Sequence, residues 1–230
     1  MEQKKLNKYA IVVAGGKGVR MGTAVPKQFL LLSGKPLLMH TLEVFYNTDP
    51  EIQLILVLPE DQQEYWKGLC TQYYFTLPHQ LVNGGVTRFE SVSNGLALAE
   101  NEGLVAVHDG VRPFINTGFI QRCYQAAEEF GAAVPVTELT ESIRRLEGET
   151  SFSVHRETFR SVQTPQTFRT EILKKSYNVP YQENFTDDAS VVEASGYKVT
   201  LIKGMMENIK ITNTIDLLLA EQMIKSNPGL

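Results

Sequence analysis

The chain has 230 residues, of which 43% are hydrophobic and 21% charged, and its formal net charge at pH 7 is −4. This composition is typical of a globular protein with one sizeable core, and a single domain is the default expectation at this length. The acidic balance and the lack of a basic stripe argue against a nucleic-acid-binding protein.

Neither the cysteines nor the N-terminus indicates an exported or membrane-bound protein. Cys70 and Cys123 lie far apart without metal-ligand spacing, so we interpret them as incidental thiols of a reduced protein. The apolar run after the N-terminal lysines is too short for a signal peptide, and no stretch approaches the ~18 apolar residues of a membrane span. We therefore expect a soluble cytoplasmic protein.

Strand-like and helix-like segments alternate along the first part of the chain. In order, they are KYAIVV (8–13), PLLMHTLEVFYN (36–47), IQLILVLP (52–59), DQQEYWKGLCTQY (61–73), TRFESVSNGLALAEN (87–101), GLVAVHDG (103–110), TGFIQRCYQAAEEFG (117–131) and AAVPV (132–136). Thr87 and Glu90 predict a capping box at one helix start, and Gly131 predicts a C-terminal cap. The alternation predicts an α/β protein with a mainly parallel sheet and helices on both faces.

Residues 138–162 interrupt this alternation. Their charges and short β-like stretches around EGET predict a two-stranded excursion with a turn near Gly148. Because an isolated two-stranded ribbon is only marginally stable, we expect a partner surface such as a second copy of the chain; a flexible surface loop is the alternative. The alternation then resumes with TEILKKSY (170–177), TDDASVVEAS (186–195), YKVTLIKG (197–204) and NTIDLLLAEQMIKSN (213–227).

The first predicted strand runs into a glycine-rich loop, AGGKGVRMG (14–22). Glycines at the carboxyl end of a buried strand let backbone N–H groups approach phosphate oxygens, and Arg20 and Lys27 add positive charge. The loop matches neither the dinucleotide nor the Walker fingerprint. From this loop alone, a polyphosphate site and a structural glycine turn with solvated cations are both open.

Two further segments favour the polyphosphate site, and the second of them suits a metal ion. Gly84 and Gly85 precede the predicted helix that carries Ser91, and glycines there allow close ligand approach. Asp109 ends a strand beside the phosphate loop, where it can meet a hydrated Mg²⁺, although a turn-capping role is the alternative. His108 is interpreted as a packed strand-end residue rather than a base.

Two polar features lie in the last quarter of the chain. Lys210 stands in the β-like stretch ENIKIT (207–212), where its charge needs either solvent or an anion. Thr186 is expected to cap a helix with Asp187 and Asp188 in the first turn, where acids are favourable with the helix dipole.

These motifs together resemble one family end to end, from about residue 8 to about residue 224. In order they are VVAGGKGVRMG…PKQF, NGGVTRFESV, VHDGVRPF, VQTPQTF, TDDAS and ENIKIT, as in 2-C-methyl-D-erythritol 4-phosphate cytidylyltransferases. The resemblance implies an Mg²⁺-dependent reaction of CTP with methylerythritol phosphate that gives the CDP-alcohol and pyrophosphate, in the non-mevalonate isoprenoid pathway. It also implies a single Rossmann-like nucleotidyltransferase domain with a protruding β-arm, at about 138–162, that embraces a second subunit.

The resemblance also implies roles for individual residues. For the CTP site these are Ala14, Gly15, Gly16 and Gly18, with Arg20 and Lys27 on the phosphates, Gly85 and Ser91 on cytosine, Gly110 near the nucleotide, and Asp109 on the metal and ribose side. For methylerythritol phosphate they are Arg112, Ser142, Arg156, Thr164 and Thr186, with Lys210 reaching the phosphate under attack. The implied catalytic residues are Arg20, Lys27, Arg156 and Lys210.

The chain departs from the family pattern at three places. Ala14-Gly15-Gly16 replaces a common Ala-Ala-Gly, a mild change because the contacts are made by the backbone. Val86 stands where many members carry an acid, so cytosine must be read by the backbone and Ser91. The first strand of the arm, around Ser142, is longer than usual.

Three rival functions are less consistent with the sequence. A ribitol-5-phosphate cytidylyltransferase shares the first loop, and TDDAS and Gly110 favour the erythritol substrate over it. A regulatory subunit without catalysis is disfavoured by the intact Arg20, Lys27, Asp109 and Lys210. An NAD-dependent dehydrogenase would require G-x-G-x-x-G, which the first loop lacks.

Overall fold

The computed structural model describes residues 6–16 and 25–226. Its strands are β1 (Lys8–Val13), β2 (Leu31–Leu32), β3 (Lys35–Pro36), β4 (Gln53–Leu58), β5 (Gln80–Asn83), β6 (Leu104–Asp109), β7 (Ala132–Glu138), β8 (Arg144–Glu147), β9 (Thr150–Ser153), β10 (Arg160–Val162), β11 (Gln166–Arg169) and β12 (Thr200–Lys203). Its α-helices are α1 (Leu37–Thr48), α2 (Glu60–Gln72), α3 (Arg88–Leu96), α4 (Thr117–Phe130), α5 (Thr170–Ser176), α6 (Asp188–Ala194) and α7 (Thr214–Ser226). Within the described ranges, none of these helices is both long and apolar enough to cross a membrane.

The central sheet has the strand order β10-β7-β11-β6-β1-β4-β5, with β12 also paired to β7. Strand β1 runs parallel to both β4 and β6, and β5 and β12 are parallel to their neighbours. The predicted mainly parallel sheet is therefore confirmed. The exceptions are β10 and β11, which the sequence analysis did not identify and which run antiparallel to β7.

Helices cover both faces of this sheet because β1 alternates its side chains between two cores. Ala10 and Val12 point into a cluster with residues of α1, α2 and α4. Tyr9 and Ile11 point into a second cluster with residues of α3, α5 and α6. All four side chains are fully or almost fully buried, as expected for a strand covered on both faces.

The excursion at 138–162 contains the predicted antiparallel pair. Strands β8 and β9 form a separate two-stranded sheet with Gly148 at the turn between them. Leu146 and Phe152 on this ribbon are 76% and 48% exposed. These side chains bury little apolar surface within their own chain, so the ribbon protrudes as an arm (the β-arm, residues 138–162).

Several local predictions are confirmed and others need correction. Gly131 ends α4 with a positive φ of 87°, as its predicted capping role requires. Helix α3 is shorter than predicted and ends at Leu96. Residues 207–212 form no strand, so the prediction of a β-like stretch around Lys210 was wrong. Cys70 and Cys123 are both unpaired, as expected.

Two helix caps differ from the sequence interpretation. The Thr87 side chain accepts a hydrogen bond from the Glu90 N–H, but the Glu90 carboxylate accepts from Val86, one residue before the cap. In α6 the cap is Asp187, not Thr186, and it forms a capping box with Ser190. The Asp187 carboxylate offers a stronger charge-assisted acceptor to the free N–H groups of the first turn.

Candidate functional site

The candidate site lies where the strand order reverses beside β1. The carboxyl ends of β1 and β6 are adjacent there, with Val13 in register with Asp109. This is the position at which open α/β sheets bind ligands. A cavity of about 320 Å³ opens at this point. It is lined by Val13, Ala14, Gly15, Gly16, Lys27, Gln28, Pro59, Gly84, Gly85, Val86, Thr87, Arg88, Ser91, Asp109, Val111 and Lys210.

Lys27 lies directly over the glycine loop. A Cβ atom at Gly16 would stand 2.9 Å from Lys27 Cε and 3.1 Å from its Nζ. Any side chain at this position would therefore displace the ammonium group. The absence of a side chain at Gly16 lets the Lys27 charge and the loop backbone face the same part of the cavity, which suits an anionic ligand.

Asp109 is the centre of the charge arrangement. Its Oδ2 atom lies 3.0 Å from Arg112 Nε and 3.0 Å from Lys210 Nζ. Burial by itself would raise the pKa of Asp109, but the positive charges of Lys210, Arg88 and Arg112 outweigh burial and hold that pKa below its ordinary value. The carboxylate therefore stays ionised and holds cations that would otherwise repel one another.

A hydrogen-bonded chain behind Asp109 fixes the end of β6. The Asp109 N–H donates to Thr164 Oγ1 at 3.1 Å, and Thr164 Oγ1 lies 3.0 Å from His108 Nδ1. His108 Nε2 lies 3.0 Å from the Arg112 carbonyl oxygen. Because a carbonyl can only accept, Nε2 carries the proton, Nδ1 accepts, and the Thr164 hydroxyl donates.

This chain determines what His108 can do. Burial lowers the pKa of His108 to about 4, and both ring nitrogens are already engaged. The imidazole is thus neutral, fully buried and unavailable as a base. The interpretation of His108 as a packed strand-end residue is confirmed.

The loop before α3 has its N–H groups satisfied from within. Gly84 donates to the Leu58 carbonyl, Gly85 to Ser91 Oγ, and Val86 to Glu90 Oε2. Ser91 in turn donates its hydroxyl proton to the Thr87 carbonyl. Among the residues that the structure describes, nothing donates to the Gly84 and Gly85 carbonyl oxygens, so this loop offers a ligand mainly acceptors.

A side chain at Gly85 would disrupt this loop. Its Cβ would stand 2.2 Å from the Glu90 Cβ and 3.1 Å from the Glu90 carbonyl carbon. The glycine is therefore required for the close approach of the loop to the first turn of α3.

The donor set fits a magnesium ion held chiefly by a ligand. Residues 6–16 and 25–226 contain no group of three or more His, Cys, Asp or Glu side chains that could hold a metal. Both ion pairs of Asp109 use Oδ2, which leaves Oδ1 without an ion pair to the described residues. One carboxylate plus phosphate oxygens is an arrangement that Mg²⁺ commonly adopts.

The structure brings most of the predicted nucleotide residues together. Those lining the cavity are Ala14, Gly15, Gly16, Lys27, Gly85, Ser91, Asp109 and Lys210. Gly18 and Arg20 lie outside the described residues. Gly110, Arg112 and Thr164 are buried next to or behind Asp109.

The remaining predicted substrate residues lie elsewhere. Ser142 and Arg156 are exposed within the β-arm, and Thr186 is exposed just before α6. None of the three lines the cavity. Arg156 donates instead to the Thr140 carbonyl.

Sequence reasoning missed Arg88 as a lining residue of the cavity. It donates to Asp188, exactly one hundred positions later, through Nη2 at 2.7 Å. The available signal was a cation directly after a helix cap on a glycine loop. Its partner Asp188 could not be predicted, because local sequence spacing carries no information about a residue so far along the chain.

Comparison with known proteins gives a consistent result. A family model described as 2-C-methyl-D-erythritol 4-phosphate cytidylyltransferase matches residues 9–226. Relatives of that name from Phocaeicola vulgatus and Bacteroides thetaiotaomicron are 52% and 51% identical. The first alignment covers 95% of this chain and 100% of the relative, and the second covers 93% and 98%.

Solved structures agree with these relatives. The 2-C-methyl-D-erythritol 4-phosphate cytidylyltransferase of Thermus thermophilus has a TM-score of 0.75 and is 33% identical, covering 94% of this chain and 98% of that one. The 4-diphosphocytidyl-2C-methyl-D-erythritol synthase of Anaerococcus prevotii has a TM-score of 0.79 and is 26% identical, with 94% and 97% coverage.

The depressed pKa of His108 predicts a loss of stability in mild acid. In the unfolded chain His108 binds a proton below its ordinary pKa of 6.5, whereas in the folded chain it stays neutral until the pH falls to about 4. The unfolding free energy should therefore decrease as pH falls through this window, by about 1.4 kcal/mol per pH unit at most. Urea denaturation at several pH values in metal-free buffer measures the slope.

His108→Gln should flatten this slope, because glutamine does not titrate and can still donate to the Arg112 carbonyl. His155→Gln, at an exposed histidine, is the matched control and should leave the slope unchanged. Parallel curves for wild type and His108→Gln would contradict the assignment.

Proposed function

Because the chain belongs to the 2-C-methyl-D-erythritol 4-phosphate cytidylyltransferase family and is therefore a nucleotidyltransferase, we propose that it joins CTP to 2-C-methyl-D-erythritol 4-phosphate. The products are 4-diphosphocytidyl-2-C-methyl-D-erythritol and pyrophosphate. The observation that carries the proposal is that Lys27, Lys210, Asp109 and the glycine loop at 84–85 line the same cavity. Two cations and a glycine loop in one cavity suit a nucleoside triphosphate.

The acceptor-rich loop supports cytosine as the base. Its N–H groups are already bonded to Leu58, Ser91 and Glu90, whereas the carbonyls of Gly84 and Gly85 can accept. Cytosine presents an amino group at the position where uracil presents a carbonyl oxygen, so acceptors on the protein favour cytosine. This gives a physical account of base selection despite Val86, which is 96% exposed and carries no polar side chain.

The reaction needs no general base. An oxygen of the polyol phosphate, already ionised at neutral pH, attacks the α-phosphorus of CTP in line. The new P–O bond forms as the bond between the α- and β-phosphates breaks, and pyrophosphate leaves with the bonding electrons. This agrees with the neutral, fully engaged His108, and leaves charge stabilisation and alignment as the main tasks of the protein.

Lys27 and Lys210 supply that stabilisation. Lys210 is held by Asp109 at 3.0 Å while its side chain remains 44% exposed, so its ammonium group can reach a phosphate without losing its anchor. Arg20, which lies outside the described residues, is proposed to act with them. Mg²⁺, held by Asp109 and phosphate oxygens, would neutralise negative charge on the triphosphate.

The polyol phosphate site is proposed to use Thr186, Arg112 and Thr164 from the cavity's own chain. Arg112 and Thr164 also hold the Asp109 loop through their hydrogen bonds. Ser142 and Arg156, which do not line this cavity, are proposed to complete the site of a second subunit through the β-arm. Two unpaired and widely separated thiols fit the reducing cytoplasm as the compartment.

A substrate panel tests the proposed function. Pyrophosphate release should be rapid with CTP, Mg²⁺ and methylerythritol phosphate, and at least about ten-fold slower with UTP or ribitol 5-phosphate. Lys27→Ala should lower kcat by about 10²–10³, on the scale of losing one preorganised charge-stabilising donor. No release with methylerythritol phosphate would refute the proposal. Faster turnover of ribitol 5-phosphate would identify ribitol 5-phosphate as the substrate instead.

The β-arm predicts the assembly state. If exposed Leu146 and Phe152 pack on a second copy, Leu146→Asp with Phe152→Ser should convert a dimer into monomers and lower kcat. Analytical ultracentrifugation measures the mass, and Leu98→Asp, at an exposed leucine outside the arm, is the control. A wild-type monomer, or a dimer that survives both arm changes, would exclude this interface.

A further inference from the structure

A buried carboxylate links two parts of the molecule that the mechanism treats separately. Asp188, in the first turn of α6, has no exposed surface. One of its oxygens accepts from Arg88 Nη2 at 2.7 Å and the other from the Tyr177 hydroxyl at 2.6 Å. A buried carboxylate needs such partners, because an unpaired charge inside a protein is strongly unfavourable.

Arg88 belongs to the nucleotide cavity at the same time. It is the first residue of α3 and lines the cavity with Thr87 and Ser91. Burial would lower the pKa of the Arg88 guanidinium, but Asp188 and then Asp109 outweigh burial and raise it. One side chain thus connects the wall of the cavity to the start of α6.

An aromatic stack makes a second connection between the same elements. The ring of Phe89, next to Arg88, stacks on Tyr177 with a centroid distance of 4.6 Å and on Phe185 at 5.8 Å. Phe185 immediately precedes Thr186, so the segment that carries the predicted substrate threonine packs on the first turn of α3.

The other side of this segment is fixed by Gln166, which is fully buried. Gln166 Nε2 donates to Asp187 at 2.7 Å, and its Oε1 accepts from the Ala189 N–H at 2.8 Å. With Gln166 on one side and Arg88 on the other, residues 186–189 have little freedom to move independently of the cavity.

We propose that the Arg88–Asp188 pair is a positioning device that couples nucleotide binding to the segment of Thr186, and so aligns the polyol phosphate with CTP. The inference rests on the proposed function for its substrates. Its physical basis is that two anions must be held in line, where a misplacement of about 1 Å can cost about 10²-fold in rate. Arg88 lines the cavity and Asp188 lies in α6. Nucleotide bound in the cavity can therefore change the position of α6 through this pair.

The test uses the full-length protein and a non-hydrolysable CTP analogue, α,β-methylene CTP. Arg88→Gln, Asp188→Asn and the double variant are compared with wild type. The double variant replaces the ion pair by two neutral amides, so it avoids an unpaired buried charge. Lys67→Gln, which removes the exposed Lys67–Glu64 pair, is the matched control.

Hydrogen–deuterium exchange provides a readout independent of activity. In wild type and Lys67→Gln, the analogue should slow exchange both in α3 and in the peptide that covers 184–192. In the double variant the analogue should still protect α3, while protection of 184–192 is lost. Undiminished protection of 184–192 in the double variant, or no protection there in wild type that binds the analogue, would overturn the proposal.

Steady-state kinetics separates positioning from plain structural support. The double variant should show a KM for methylerythritol phosphate raised at least about five-fold, within the usual range of coupling between two sites, with the KM for CTP changed less. Equal changes in both KM values would overturn the proposal. If the analogue protects 184–192 in the wild-type protein and not in the double variant, but wild type releases no pyrophosphate, only the proposed function would be refuted.

Discussion

The ionised carboxylate of Asp109 is the constraint on which the site depends. It is nearly buried at the end of β6, where it pairs with Arg112 and Lys210 at 3.0 Å. The positive charge of Arg88 also helps to lower its pKa. Without this negative charge, three cations would crowd one strand end. The hydrogen bond from its own N–H to Thr164 fixes the carboxylate in turn. The cationic side of the cavity is therefore organised by the protein itself. In the proposed reaction such preorganisation would reduce the reorganisation that catalysis requires.

The sheet topology explains why this carboxylate faces the cavity. The reversal of strand order beside β1 puts Val13 next to Asp109, so the glycine loop after β1 and the acid after β6 share one cavity. Helix α3, which packs in the second core cluster, forms another wall of the cavity. The loop before it contributes the Gly84 and Gly85 carbonyl oxygens, and its first residue is Arg88. Arg88 then extends the same charge arrangement to α6 through Asp188. The wall of the cavity and the start of α6 are thus joined by one ion pair.

Sequence reasoning was accurate where a local pattern has a local cause. Alternating apolar segments predicted the α/β sheet and Gly131 predicted a helix end, while the described glycines after β1 line the cavity. It failed where a partner is distant in the chain or where two caps compete. Asp187 rather than Thr186 caps α6, because its carboxylate is the stronger of two neighbouring acceptors. Lys210 stands in an irregular segment and pairs with Asp109, and Asp188 has its partner one hundred residues away.

The most direct test of the central claim is the turnover of Asp109→Asn at saturating CTP and methylerythritol phosphate. The amide keeps the shape of the side chain but removes the charge that holds Lys210 and Arg112. The account predicts a folded protein whose kcat is lower by about 10²-fold or more, on the scale of losing one preorganised charge contact. A folded Asp109→Asn protein with kcat within about three-fold of wild type would contradict the claim that this carboxylate organises the site.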